Sequence, residues 1–408
     1  MKILISAYAC EPGQGSEPGV GWNFVHEMSR HHELWILTQS DGRLEIEREL
    51  QNNPNSNLHF FYFEPFGWQL DLWKAKAEIQ LHYYLWQVQA YFLGRRLHQQ
   101  INFDLVHHVT FVKYWSPSFL SMLPIPFLWG PVGGGEAAPK PFWKDFSLRG
   151  KTYELIRTLA QRLGEIDPFT QITARRSTLA QATTEDTAKR LRHLGAPKIH
   201  VFSEAGLSYQ DLAMLKQCPF PQDNQIRFIS IGRLLHWKGF HLSLKAFIEA
   251  DLPDAEYWLL GDGPEREHLR QIANASKAVD RIKFLGKRPR KEVLDSLAAC
   301  HVMVHPSLHD SGGWACLEAM ATGRPVICLD LGGPALQVTD ETGIKVPAQK
   351  PEQAVKDIAT AMLSLAKDRD RLAELGQNAR ERVETHFSWS SKIVTTSTLY
   401  EKLVSSDR

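Results

Sequence analysis

Cysteine is scarce and scattered: Cys10, Cys218, Cys300, Cys316 and Cys328 are all there is in 408 residues, and no two form a C-x-x-C pair. An odd count at such spacings makes a poor disulfide framework, and a reducing cytoplasm is the expected setting. Neither sign of charge is in excess, with Lys plus Arg at 47, Asp plus Glu at 46 and a formal net charge of +1. A chain that binds nucleic acid carries a basic surplus, so no nucleic-acid partner is expected. Long apolar runs are also missing. Even the aromatic-rich stretch from Trp68 to Leu93 is interrupted by Asp71, Lys74, Lys76, Glu78 and His82, so nothing approaches the about 18 apolar residues of a membrane-spanning helix. The start, Met1–Tyr8, holds one basic residue and a short apolar run, and reads as a first β-strand rather than a leader. There is no internal repeat and no low-complexity tract. The histidines follow no H-x-E-H or related spacing, so no metal site is expected. What remains is an ordinary folded composition, 43% hydrophobic and 23% charged, in a length suited to two or three domains.

Short apolar runs bounded by Gly, Pro and Asp alternate with helical patterns. Strands are expected at Ile3–Ala7, Leu34–Thr38, His59–Phe63, Leu105–His108 and Phe127–Trp129. A second series follows at Arg227–Ile231, Glu256–Leu260, Lys283–Leu285, Val302–His305, Val326–Cys328 and Gly343–Val346. Helices are expected between them at Gly239–Ala250, Pro264–Ala273, Lys291–Ala299, Trp314–Thr322 and Glu352–Ala366. Strand and helix in alternation imply parallel sheets covered on both faces. The fold class is therefore α/β, with two doubly wound Rossmann-like domains facing a cleft. The polar, Pro-containing stretch ending in Cys218-Pro219-Phe220-Pro221 marks the passage between them. The domains are read as 1–205, 206–385 and a C-terminal helix, 386–408, packing back on the first.

The chemistry concentrates after the strand Val302–His305. There Asp310-Ser311-Gly312-Gly313-Trp314 turns into a helix that carries Glu318. A helix start reached through two glycines presents free backbone N–H groups to an anion, with no Cβ in the way. Arg233 and Lys238 stand after the strand that opens the second domain, where cations neutralise a diphosphate and stabilise it as a leaving group. Gly232 precedes Arg233, and Gly261 lies in the strand-end turn Leu260-Gly261-Asp262-Gly263-Pro264, another close backbone approach.

This ordered set resembles the retaining GT-B glycosyltransferases of family 4, the glycosyl transferases group 1. The resemblance rests on Gly232-Arg233 with Lys238-Gly239, Gly261-Asp262-Gly263-Pro264, Phe284-Leu285-Gly286, the run from Pro306-Ser307 through Glu318-Ala319-Met320-Ala321, Gly332-Gly333 and Phe387-Ser388-Trp389. It implies a nucleotide-diphosphate sugar as donor, with uridine or guanosine as the base, no metal or cofactor, and transfer with retention to a hydroxyl acceptor in polysaccharide or glycoconjugate synthesis. It further implies that Arg233 and Lys238 hold the diphosphate, that Glu318 meets the ribose hydroxyls, and that Arg288 borders the base. Ser311, Gly312, Gly313 and Trp314 complete the donor loop. Asp310 stands where the family carries a glutamate that contacts the donor sugar, and is one methylene shorter. A nucleotide-sugar epimerase or hydrolase, and a non-catalytic nucleotide-sugar-binding subunit, are the alternatives.

The first half carries fewer signals. The loop from Cys10 to Trp22 does not fit G-x-G-x-x-G, since after Gly13 and Gly15 the third glycine comes at Gly19. Gly19 or Gly21 is the expected point of approach to the donor phosphate. His107 and His108 end a strand where the family places a histidine near the reacting sugar, and neighbouring strand residues point to opposite faces. The aromatics of 68–97 read as a core helix; the alternative is contact with a membrane surface, which would suit a lipid-linked acceptor and a peripheral location at the inner face of the membrane.

Overall fold

The computed structural model describes residues 1–67, 76–221, 223 and 225–406. In chain order the first half contains β1 (Lys2–Ser6), α1 (Ser16–Met28), β2 (Glu33–Thr38), α2 (Arg43–Asn52), β3 (Leu58–Tyr62), α3 (Lys76–Ile101), β4 (Leu105–His108) and β5 (Phe127–Val132). It continues with α4 (Leu148–Ile166), α5 (Pro168–Arg176), β6 (Leu179–Ala182), α6 (Glu185–Leu194) and β7 (Ile199–Val201). The second half contains α7 (Tyr209–Lys216), β8 (Ile226–Ile231), α8 (Phe240–Ala250), β9 (Ala255–Leu260), α9 (Arg266–Asn274), β10 (Ile282–Gly286), α10 (Arg290–Ala298) and β11 (Val302–His305). It ends with α11 (Trp314–Ala321), β12 (Val326–Leu329), α12 (Gly332–Gln337), β13 (Gly343–Val346), α13 (Pro351–Lys367), α14 (Arg369–His386) and α15 (Trp389–Ser406).

Two compact units result, one of residues 1–135, 157–204 and 389–408, the other of 136–156 and 205–388. The first holds a seven-stranded sheet in the order β3-β2-β1-β4-β5-β6-β7, the second a six-stranded sheet in the order β10-β9-β8-β11-β12-β13. Every strand pair is parallel. Both orders reverse direction next to their first strand, between β1 and β4 and between β8 and β11. Ligands of open α/β sheets collect at such switch points, beyond the carboxyl ends of the strands.

The second sheet is buried on both sides because its central strands are mostly apolar, and the polar Ser230 and His305 within them are themselves buried and hydrogen-bonded. Phe228 of β8 and Val302 and Val304 of β11 feed one layer with α8 and α13, whereas Ile229 and Met303 feed the other with Leu317, Met320 and Ala379. The period of two delivers alternate side chains to opposite faces. Residues 136–156 correct the expected boundary: reading 1–205 as one domain assigned them to the first unit, but Phe142 and Phe146 are buried in the core of the second, with Phe228 and Phe240. Helix α15 belongs to the first unit, where Tyr400 and Ser397 reach His107 and His32. The aromatic helix α3 packs into the first unit's core. Tyr83 stacks on Phe111 with ring centroids 3.7 Å apart and donates to the Pro117 carbonyl at 2.9 Å, and Trp86 is fully buried. Trp68 and Trp73, counted in the same stretch, lie outside the described residues.

Candidate donor site of the second unit

Strands β8 and β11 are neighbours at the switch point, so the turns leaving their carboxyl ends are brought side by side. The turn after β8 carries Arg233 and Lys238; the turn after β11 carries Asp310–Gly313. Two glycines make the junction. Gly239 starts α8 at φ +66°, and a Cβ there would meet the Pro306 carbonyl oxygen at 2.0 Å, so only glycine lets the two turns touch. Gly313 starts α11 at φ +59°, where a Cβ would press against the Gln337 amide at 2.6 Å.

Lys238 Nζ donates to Asp310 Oδ2 at 2.5 Å, and His305 Nε2, at the end of β11, reaches the same oxygen at 3.1 Å. The other oxygen of Asp310 accepts from the Gly313 N–H at 3.3 Å. Burial alone would push the Asp310 carboxyl up, but Lys238 and the His305 hydrogen bond outweigh it and hold it well below the usual carboxylate range. His305 moves the other way: burial lowers it against the pull of Asp310, so it stays neutral and donates. Asp310 thus serves as counter-ion to Lys238 and as acceptor for the helix start. An incoming phosphate would share both partners with it.

Arg233 is exposed, and among the described residues its guanidinium has no side-chain partner. Glu318 sits one turn into α11 and accepts from Arg290 Nη1 at 2.5 Å. Burial raises Glu318 while Arg290 opposes the shift. Arg288 is held by the Leu285 carbonyl at 2.8 Å and by Glu292 at 3.0 Å, on the surface at the end of β10. Trp314 and Ser311 are half-buried beside Gly312, whose carbonyl accepts from Gln337 Nε2 at 2.6 Å. Gly261 is glycine for an internal reason, since a Cβ would meet the Gly232 carbonyl oxygen at 1.9 Å.

The residues that sequence reasoning missed are those that hold this loop pair from outside it. Glu154, on α4, is buried and accepts from His236 Nε2 at 2.9 Å and His309 Nε2 at 3.1 Å through one oxygen. These histidines lie two residues before Lys238 and one before Asp310, so a single carboxylate ties both turns together. Trp237 stacks between Tyr153 and His309, with centroids 4.7 and 5.3 Å away. His305 stands five residues before Asp310 and was within reach of a strand-end argument. Glu154 arrives from 82 residues away and left no signal in spacing.

In the first unit, at the β1/β4 switch point, the two histidines part company. His107 Nδ1 pairs with the Tyr400 hydroxyl and Nε2 with the Gly130 carbonyl, each at 2.5 Å, and Phe24 packs edge-on against the ring. Both nitrogens are committed, and burial pulls His107 down to about 3. His107 is therefore a neutral tie between β4, β5 and α15. His108, lowered by burial to about 4, has only a long 3.5 Å contact from Nε2 to the Phe111 carbonyl, and its Nδ1 is buried without a partner among the described residues. Gly19 and Gly21 lie inside α1, and their missing Cβ atoms make room for the Gln14 and Ala9 carbonyl oxygens, 2.1 and 2.2 Å from where those atoms would stand. Packing of the loop on its own helix explains both glycines. Among the described residues no three His, Cys, Asp or Glu are grouped to hold a metal ion.

The architecture has close parallels. A sucrose-phosphate synthase from Thermosynechococcus elongatus superposes with TM-score 0.64 and 17% identity over 99% of both chains. HepE of Anabaena, solved with UDP and glucose, gives TM-score 0.59 and 18% identity over the whole of both. These likenesses establish the fold, two Rossmann-like parallel-sheet α/β units of the GT-B class. In sequence, residues 216–382, spanning β8 to most of α14, match the family of glycosyl transferases group 1. A D-inositol 3-phosphate glycosyltransferase from Corynebacterium kroppenstedtii is 31% identical over 184 residues, 43% of this chain and 40% of that protein. The chain thus spans about two fifths of the length of that relative.

Proposed function

We propose that the protein is a retaining glycosyltransferase that moves a sugar from a nucleoside-diphosphate sugar to a hydroxyl acceptor without a metal ion. The observation that carries this is the switch-point constellation of Lys238, Asp310 and the Gly313 N–H, with the exposed Arg233 guanidinium on the neighbouring turn. In this reading Arg233 and Lys238 bind the diphosphate and spread the charge it gains as the bond between the anomeric carbon and the phosphate oxygen breaks. The acceptor oxygen forms the new bond on the same face and its proton passes to the departing diphosphate. Glu318 takes the ribose hydroxyls, at the cost of sharing with Arg290. Asp310 keeps Lys238 in place and approaches the sugar. In the first unit His108, whose Nδ1 has no partner among the described residues, serves the reacting group in this reading, and His107 is a positioning residue. The family match over 216–382 and the UDP-bound HepE relative support a nucleotide donor, with uridine the first base to try.

The test is a thermal-shift screen of nucleoside diphosphates, followed by donor turnover with and without acceptors. One diphosphate is expected to stabilise the wild type by about 3 kcal/mol at a hundredfold excess over its Kd, and Lys238→Ala to lose most of that shift. Rapid donor hydrolysis without acceptor, or unchanged transfer in Lys238→Ala, would count against this reading.

A further inference from the structure

The surface that meets solvent along α4 is not an ordinary helix surface. Leu148, Leu155, Ile156, Leu159, Leu163 and Ile166 are each between 56% and 83% exposed. At about 100° per residue these six fall within an arc of roughly 100°. Arg149 stands just beyond one margin of that arc, and Lys151 and Arg162 beyond the other. Neither arginine has a side-chain partner among the described residues. The two carboxylates of the helix point elsewhere: Glu154 is buried between its histidines, and Glu165 accepts from the Tyr114 hydroxyl at 2.7 Å and from Arg190 at 3.2 Å.

This apolar arc is broken only by Thr152, whose hydroxyl is turned back onto the Leu148 carbonyl at 2.9 Å, and with cations on both edges and no carboxylate of its own it matches the plane between lipid headgroups and acyl chains. We propose that α4 seats the protein on an anionic lipid surface, its leucines and isoleucines among the acyl chains and Arg149, Lys151 and Arg162 at the headgroup phosphates. The charge pattern selects this occupant. A second copy laid on the same stripe would set basic margins against basic margins, whereas anionic headgroups complement them. The aromatic helix α3 does not serve this role, because Tyr83 and Trp86 are core residues. The proposal is independent of sugar transfer and is tested without donor.

The experiment is flotation of the full chain with vesicles of phosphatidylcholine alone and of phosphatidylcholine with phosphatidylglycerol, at low and high sodium chloride. The wild type is expected to float with the anionic vesicles and to be released by salt. Leu159→Ser with Leu163→Ser replaces two exposed side chains, so its melting temperature and nucleotide-induced shift should match the wild type while its membrane partition falls by roughly tenfold or more. Arg149→Gln with Arg162→Gln should weaken binding only at low salt. No flotation of the wild type, equal flotation with both vesicle types, or full flotation of the double-serine variant would overturn the proposal. So would a wild-type dimer that the double-serine variant dissociates and that ignores vesicles.

Discussion

Removing Lys238 puts the electrostatics of the donor site to a quantitative test. At 2.5 Å, the distance from Nζ to Asp310 Oδ2, two unit charges attract by about 6–7 kcal/mol at an effective dielectric of about 20. Both side chains keep about a fifth of their surface open, and both lose hydration, so the net worth of the pair is about 2–3 kcal/mol. In Lys238→Ala the burial that raises Asp310 is no longer opposed by a cation, and the neutral His305 is a weak substitute. At about 2–4 °C per kcal/mol, the second unit's melting transition should fall by roughly 5–10 °C at neutral pH. Adding Asp310→Ala removes the stranded carboxylate, so the double variant should recover at least about 1 kcal/mol over the single. The pH dependence follows from the sign of each shift. In the wild type Asp310 lies below its unfolded value, so its contribution is complete above that value and disappears as pH falls through the acid range. In Lys238→Ala it lies above that value, so the penalty is present at neutral pH and is relieved on acidification. Thermal melts of the four chains of the double-mutant cycle from about pH 8 to about pH 5 read both effects. If the single and double variants melt alike, or if the gap to wild type fails to narrow with acid, the pair does not hold the loops as argued.

Three further outcomes are expected. Lys392 is buried in the first unit, donating to the Ser203 carbonyl, and burial lowers it to about 7 against the pull of Glu204. Because that depressed pKa means the unfolded chain takes up a proton the folded chain refuses, wild-type stability should rise with pH from about 7 towards the unfolded lysine value. Lys392→Met should flatten that rise and add on the order of 2–3 kcal/mol near neutrality, measured by urea unfolding. Glu154→Gln leaves His236 and His309 competing for one weaker acceptor, and should cost about 1–3 kcal/mol in thermal melts and weaken nucleotide affinity, with secondary structure by circular dichroism unchanged. Arg233→Ala removes an exposed guanidinium with no side-chain partner among the described residues, so the free chain should melt within about 0.5 kcal/mol of wild type while calorimetry shows nucleoside-diphosphate affinity reduced about tenfold.

Strands with β-branched or aromatic residues and firm punctuation were legible in the sequence. Leu105–His108, Val302–His305 and Gly343–Val346 coincide with β4, β11 and β13, and the others differ by a residue or a few at the ends. Strands β6 and β7 were not foreseen. Leu179-Ala180-Gln181-Ala182 has little β propensity and Ile199-His200-Val201 is three residues long, and both are strands because the sheet offers them hydrogen-bond partners. At the site, the positions of Arg233, Lys238, Asp310, Gly313 and Glu318 follow from strand ends and glycines. That Asp310 neutralises Lys238, that Arg290 pairs with Glu318 and that Glu154 joins the two turns could not be read from spacing, since each partner is supplied by a different strand or helix.

The amino-acid order by itself determined the alternation of strand and helix, its two successive series and the glycine-marked turns, because periodicity and turn chemistry act over a few residues. Tertiary structure alone decided that His107 is tied at both nitrogens while His108 is not, that residues 136–156 join the second core, and that α4 turns an apolar arc outward. Burial and partnership are properties of neighbours in space, and those neighbours lie tens to hundreds of positions apart in the chain.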